Sequence, residues 1–148
     1  MAEVNAQGSV DDVGVEEAWE KLKQDPSAVL VDVRTQAEWA FVGVPDLSPL
    51  GKELVCLEWQ HFPGGQLNPS FTSQLKSTLA ARGAGEDTEL FFICRSGHRS
   101  LHSAEAMAKT GYRACHNVAG GFEGPPDNEG HRGFVSGWKA AGLPWIQR

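Results

Sequence analysis

One short segment combines a thiol, two guanidinium groups and a glycine at a spacing that supports nucleophilic chemistry. It reads Cys94-Arg95-Ser96-Gly97-His98-Arg99-Ser100. Between residues 94 and 102 there are two arginines, two histidines and no acidic residue. A free cysteine is mostly protonated at neutral pH, but N–H groups at the start of a helix and nearby cations stabilise its thiolate. The segment therefore predicts a standing nucleophile at Cys94.

The two arginines of this segment indicate what kind of group the loop holds. Cations are disfavoured at the N-terminus of a helix, where the helix dipole is positive. The presence of Arg95 and Arg99 therefore indicates that an anion is held there. The alternatives are that Cys94 is an inert core cysteine closing a strand and that both arginines are simply solvated.

The distance along the chain from the cysteine to the second arginine separates two chemistries. Cysteine-dependent phosphatases place five residues between them, and the wider loop encircles a phosphate. Here four residues separate Cys94 from Arg99, and position 100 is a serine. The shorter loop suits the outer sulfur of a persulfide, whose negative charge several N–H groups can stabilise. A phosphatase or an arsenate reductase of the same design is the less favoured alternative.

The segments around this loop alternate between apolar runs and amphipathic stretches. The apolar runs predict strands at residues 28–33, 54–59, 89–94 and 114–118. Helical spacing predicts helices at residues 15–23, 36–42, 98–110 and 134–141. One more helix is predicted to end at Gly83, with Asn68 as its N-cap and Pro69 at its first position.

Strands that alternate with helices predict a three-layer α/β/α fold, in which a mostly parallel sheet has helices on both faces. Ligand sites in such folds lie at the carboxyl ends of the strands. Four segments are expected to meet at that edge: residues 32–34, residues 58–59, the chain from Cys94 onward, and the Gly120-Gly121 pair.

Three motifs together resemble the rhodaneses of the single-domain type. They are residues 32–39 (Asp-Val-Arg-Thr-Gln-Ala-Glu-Trp), the loop 94–100, and residues 117–122 (Asn-Val-Ala-Gly-Gly-Phe). They follow in the order and spacing of that family. One segment departs from the pattern, because residues 42–47 read Val-Gly-Val-Pro-Asp-Leu where the family usually has Gly-His-Ile-x-Gly-Ala. The resemblance implies a rhodanese-like fold and thiosulfate sulfurtransferase activity.

The resemblance also implies a two-step mechanism and assigns roles to the loop. The Cys94 thiolate would take sulfur from a small anionic donor such as thiosulfate, and a thiol or cyanide would then remove it. A protein that accepts sulfur is a further partner that we expect. The implied substrate-binding residues are Arg95 and Arg99, which bind the anion and brace the loop, and Ser96, Gly97 and His98, which supply backbone donors. No cofactor and no metal is implied.

Several weaker features leave alternatives open. A persulfide carrier or a redox-sensing module for a partner protein would use the same thiolate. Cys56 and Cys115 are expected to be buried, the alternative being a resolving thiol. His98 and His102 lie one helical turn apart, but without a third ligand they make a weak case for zinc. The Gly/Pro-rich loop at 123–133 is expected to be either a lid or a passive surface loop.

Composition bounds the remaining possibilities. The chain has 148 residues and a net charge of −6, which fits one domain and argues against nucleic-acid binding. We expect a flexible arm at residues 1–9 and a single domain at 10–148. The start of the chain has no signal-peptide pattern, and no apolar run is long enough for a membrane span. Three scattered cysteines fit a reducing compartment, so the expected location is cytoplasmic.

Overall fold

A computed structural model describes residues 9–147, and the predicted flexible arm therefore falls almost wholly outside the described residues. The division into an arm and one domain stays a prediction. In chain order the elements are β1 (Asp11–Val13), α1 (Val15–Gln24), β2 (Val29–Asp32), α2 (Gln36–Phe41), β3 (Val44–Pro45), a 3-10 helix (Ser48–Leu50), β4 (Val55–Cys56), α3 (Phe71–Ala81), β5 (Leu90–Ile93), α4 (His98–Lys109), β6 (Cys115–Val118) and β7 (Trp145–Ile146).

The main sheet has five parallel strands in the order β1-β6-β5-β2-β4. In its register Asp32 lies beside Ile93, and Phe92 lies beside Asn117. The carboxyl ends of β2, β5 and β6 therefore share one edge of the sheet, where the predicted site residues emerge. The predicted parallel sheet is confirmed.

Both faces of the sheet are covered, because side chains along a strand alternate between two cores. Leu90 and Phe92 of β5 belong to the core formed with α3 and α4. Phe91 and Ile93 point the other way and pack with α1 and with residues around Trp138. These two layers around the sheet confirm the three-layer α/β/α fold.

The predicted last helix at residues 134–141 is wrong. This segment forms turns in which Gly137 has a φ of +100°. The N–H groups of Trp138 and Lys139 donate to the carbonyls of Gly121 and Phe122, at 2.8 and 3.1 Å. Contacts with a distant loop have thus replaced the local helix, and they bury Trp138 completely.

The predicted start of the third helix is also wrong. The structure begins α3 at Phe71 and places Ser70 before it, so Asn68 is not the N-cap and Pro69 is not helical. The Asn68 side chain instead accepts the Ser70 N–H at 3.1 Å, which makes a turn of the kind asparagine favours.

Four short strands have boundaries that local patterns did not predict. The strand expected at 54–59 is regular only at β4, although the Trp59 N–H still donates to the Val33 carbonyl at 3.1 Å. β1 begins with two exposed aspartates, so it carries no apolar run. β3 and β7 form a separate antiparallel pair, in which Val44 lies beside Ile146. Within residues 9–147 no helix is both long and apolar enough to cross a bilayer.

Candidate active site

The loop of residues 94–97 connects the end of β5 to the start of α4. It turns sharply at Gly97, whose φ of +106° belongs to the left-handed region that favours glycine. A Cβ atom at this position would collide with the carbonyl oxygen of Ala119. Glycine is therefore required at position 97 both by the backbone angle and by the close approach of the segment at Ala119.

The Cys94 sulfur lies inside this turn. The N–H groups of Gly97 and Ser100 donate to Sγ at 3.2 and 3.3 Å, and the Ser100 hydroxyl oxygen lies 3.2 Å away. Only about 1% of Cys94 is exposed. The loop therefore encloses the sulfur.

The segment that contains the Gly120-Gly121 pair forms hydrogen bonds with the backbone of the loop. Phe122 N–H donates to the Cys94 carbonyl at 2.8 Å, and the N–H groups of Glu123 and Gly124 donate to the Arg95 carbonyl at 3.0 and 3.1 Å. Gly121, with a φ of +70°, lies so close to Arg95 that a Cβ would overlap its carbonyl. The third sequence motif thus packs the loop and fixes its shape.

Other donors on the loop are unused. Among residues 9–147 the N–H groups of Ser96, His98 and Arg99 have no acceptor. Those of His98 and Arg99 lie in the first turn of α4, where N–H groups lack intrahelical partners and favour anions. The Arg95 side chain is exposed, and no described residue pairs with its guanidinium. The outer face of the loop therefore offers donors and one unpaired cation.

Arg99, the second arginine of the loop, is not free. Its two terminal nitrogens donate to the Glu38 carboxylate at 2.7 and 2.9 Å. Burial opposes the ionisation of Glu38, but the hydrogen bonds from Arg99 and Thr35 outweigh it and lower the pKa of Glu38 to about 2. Of the two roles expected for Arg99, the contacts match the bracing of α4 against α2 and leave Arg95 as the unpaired cation.

Asp32 and Arg34 form a buried ion pair under the site. The Arg34 Nε and Nη2 atoms donate to the Asp32 carboxylate at 2.9 and 2.7 Å, and both side chains are fully buried. The guanidinium lies over the ring of Phe122 at 4.4 Å. Burial lowers the pKa of Arg34, but Asp32, with smaller contributions from Glu38 and Glu123, more than compensates and the net pKa is raised. The pair is therefore a structural brace.

A cavity of about 430 Å³ opens beside the loop. Arg95 and Arg99 line it together with Thr35, Val42, Phe62 and Pro63. Phe62 and Pro63 form one wall of this cavity, and Pro63 was not predicted there because it carries no group that does chemistry. The loop at 123–133, considered above as a lid, contributes no residue to this cavity.

The other cysteines and the histidine pair lie outside this arrangement. Cys115 is buried at the amino end of β6, and burial raises its pKa to about 12. Cys56 ends β4 and is half-buried. The rings of His98 and His102 are in contact at 4.7 Å, but no group of three or more metal-ligating side chains lies among residues 9–147.

Comparisons with known proteins identify the family. The model of the STR4 middle domain matches residues 11–148. The crystal structure of Rv0390 from M. tuberculosis is similar with a TM-score of 0.83 and 47% identity, over 95% of this chain and all of that one. Protein RP600 of Rickettsia prowazekii is 38% identical over 128 residues, 86% of this chain and 90% of its own length.

A plant relative carries the family name. The chloroplastic rhodanese-like domain-containing protein 4 of Arabidopsis thaliana is 30% identical over 130 residues, which are 88% of this chain and 24% of that protein. The three sequence motifs, the parallel sheet and the loop at its carboxyl edge agree with these matches. The chain therefore belongs to the rhodanese-like family.

Proposed function

We propose that this protein is a sulfurtransferase that carries sulfane sulfur as a persulfide on Cys94. The observation that carries the proposal is the position of the sulfur, which receives the Gly97 and Ser100 N–H groups inside the turn. Such donors stabilise a thiolate, which is the reactive form of cysteine. Membership in the rhodanese-like family supports the same chemistry.

The proposed transfer has two balanced steps. In the first, the Cys94 thiolate attacks the outer sulfur of thiosulfate, a new S–S bond forms, and the donor's own S–S bond breaks. The electron pair of that bond leaves with sulfite. In the second, a thiolate or cyanide attacks the outer sulfur of the persulfide and regenerates the Cys94 thiolate. Neither step consumes an oxidant or a proton overall.

The charges at the loop favour an anionic donor. The protein carries a net charge of −6, so an anion is attracted only by a local cation. Arg99 is neutralised by Glu38, whereas Arg95 is exposed and unpaired. We therefore propose that Arg95 receives the donor, and that the unused N–H groups of Ser96 and His98 bind the outer sulfur of the persulfide.

A persulfide carrier is the second candidate, and the burial of Cys94 favours it. Because Cys94 is only about 1% exposed, a small nucleophile in bulk solvent has little direct access to it. A partner protein that moves the loop would reach it. This candidate uses the same persulfide and differs only in the acceptor.

Mass mapping of sulfur on the three cysteines after thiosulfate treatment tests the proposal. We expect the mass gain of one sulfur atom on Cys94, and turnover to cyanide that is lost in Cys94→Ser. Cys115→Ser is the matched control and keeps both properties. A stable persulfide on Cys94 with negligible turnover favours the carrier. Equal turnover by the wild type and Cys94→Ser overturns the proposal.

A further inference from the structure

We propose that Asn117 is a positioning residue that sets the direction of the Ser100 hydroxyl at the Cys94 sulfur. Asn117 lies on β6, in the third sequence motif, and no step of the proposed transfer uses it. The inference adds to the proposed function, but it is tested on the thiol itself. Its failure and the failure of sulfur transfer are therefore separate outcomes.

The orientation of the Asn117 amide follows from its neighbours. Its nitrogen lies 3.0 Å from the Asp12 carboxylate and 3.2 Å from the Gly97 carbonyl. Both of these groups are acceptors, so only the NH₂ side of the amide can face them. The amide oxygen must then face Ser100, whose hydroxyl oxygen lies 2.6 Å away.

The Ser100 hydroxyl has one hydrogen, and Asn117 accepts it. Because the amide oxygen of Asn117 can only accept, the hydroxyl donates to it. Towards the Cys94 sulfur, 3.2 Å away, the hydroxyl therefore presents a lone pair. In this arrangement it can accept a hydrogen bond from the S–H group, and it cannot donate one to a thiolate.

When Cys94 ionises, the Ser100 hydroxyl changes from a hydrogen-bond acceptor to a donor at the sulfur. A thiolate keeps the Gly97 and Ser100 N–H groups as donors, but the lone pair of the hydroxyl then faces a negative charge. We therefore infer that the hydroxyl turns from Asn117 to the sulfur and leaves the amide oxygen without a partner. Ser100 is fully buried and Asn117 is 3% exposed, so bulk water does not compete for these groups. Asn117 thus favours the thiol, and the turn of the hydroxyl accompanies formation of the thiolate.

The charged groups near this chain of hydrogen bonds are mostly paired. Arg99 of α4 binds Glu38 of α2, and Asp32 at the end of β2 binds Arg34. Asp12 of β1 lies behind the Asn117 amide, and Arg95 is exposed on the loop. The substitutions that test Asn117 leave all of these charges in place.

Alkylation of Cys94 by iodoacetamide, measured between about pH 5 and 9 where thiolates form, tests the proposal by mutation. In Asn117→Ala the hydroxyl is released, so we expect the rate profile to move to lower pH. Below the midpoint the rate should rise about fivefold, the factor that one ordinary hydrogen bond contributes. The control Asn68→Ala removes an asparagine that bonds the Glu58 carbonyl and no residue of the loop 94–100, and should leave the profile unchanged.

The double variant separates positioning from loosening of the loop. Because Asn117 acts through Ser100, Asn117→Ala should shift nothing further when Ser100→Ala is already present. A loosened loop would instead raise the rate at every pH, in both backgrounds, without moving the midpoint. That result, or an unmoved midpoint in the single variant, overturns the proposal.

A measurement on the unmodified chain covers the case in which Asn117→Ala does not fold. The ¹³C shift of the Asn117 side-chain carbonyl should change as Cys94 ionises, because the hydroxyl then leaves it. The same carbonyl should not respond over that range in Cys94→Ser. A carbonyl shift that stays constant while Cys94 ionises overturns the proposal.

Discussion

Two buried cysteines at the ends of neighbouring strands differ in the groups that surround their sulfur atoms. Cys94 follows β5 and is 1% exposed, and Cys115 begins β6 and is 4% exposed. The Cys94 sulfur receives two backbone N–H groups, whereas the nearest partner of the Cys115 sulfur is the Tyr112 carbonyl at 3.9 Å. Burial raises the pKa of Cys115 to about 12. Burial alone therefore disfavours the thiolate, and a buried cysteine needs hydrogen-bond donors at its sulfur to offset this effect.

The two edges of the sheet explain why only one cysteine has donors. At the carboxyl edge the chain leaves β5 and enters α4, so the first N–H groups of that helix face Cys94. At the amino edge the chain arrives from the end of α4, and there the Cys115 sulfur meets a carbonyl, that of Tyr112, instead of N–H groups. A carbonyl oxygen can accept the S–H hydrogen, but it cannot stabilise a thiolate.

The largest effect that tests this contrast is the reactivity of the two thiols in the folded protein. A pKa that rises from 9.0 to about 12 leaves Cys115 with roughly 10³-fold less thiolate than an ordinary thiol. We expect iodoacetamide at about pH 8, near the pKa of a free thiol, to label Cys94 and to spare Cys115 until denaturant is added. Peptide mass spectrometry measures both rates, and Cys115→Ser should not change the rate at Cys94. Equal labelling of the two would remove the contrast.

A substitution in the turn should disrupt the N–H donors that surround the Cys94 sulfur. Gly97→Ala places a Cβ against the Ala119 carbonyl at a φ of +106°, so we expect a loss of about 2 kcal/mol or more in unfolding free energy. The alkylation rate at Cys94 should fall with it. Urea denaturation measures the first quantity.

Gly83 provides the matched control for this substitution. It has a φ of +75° with open space around it, so Gly83→Ala should cost only about 1 kcal/mol. It should also leave the alkylation rate at Cys94 unchanged. If the two substitutions lower the unfolding free energy equally, the close packing of Gly97 against Ala119 does not contribute to stability.

The pair of Arg99 and Glu38 should give a smaller effect that depends on pH. The pKa of Glu38 is depressed in the folded state, so its contribution is present above its unfolded value near 4.5 and is lost as pH falls towards 2. Since its side chain is 20% exposed, we expect about 2 kcal/mol. The difference in unfolding free energy between the wild type and Glu38→Gln should therefore shrink between about pH 7 and pH 3.

Glu105 offers a control for the pH effect, because its contact with His102 is longer, at 3.6 Å, and both side chains are at least 40% exposed. Glu105→Gln should show a small difference from the wild type at both pH values. A difference for Glu38→Gln that stays constant on acidification would show that Arg99 does not hold the carboxylate in its ionised form.

Local patterns in the sequence determined the central elements and the loop at Cys94. The apolar run before Cys94 predicted β5, and the amphipathic stretch after Gly97 predicted α4, because the side-chain periods of strands and helices differ. Their junction at Cys94 predicted a thiol at a helix N-terminus. These features depend on neighbours along the chain, so they could be read without knowing the fold.

Only the tertiary structure decided which groups meet at the site. Arg99 and Glu38 are 61 residues apart, and Asn117 and Asp12 are 105 apart, so no local pattern joins either pair. The same cause turned the predicted helix at 134–141 into turns, since Trp138 donates to Gly121 rather than to its own segment. A backbone or side-chain donor bonds to whichever acceptor folding brings near, and that choice is made by the packing of distant segments.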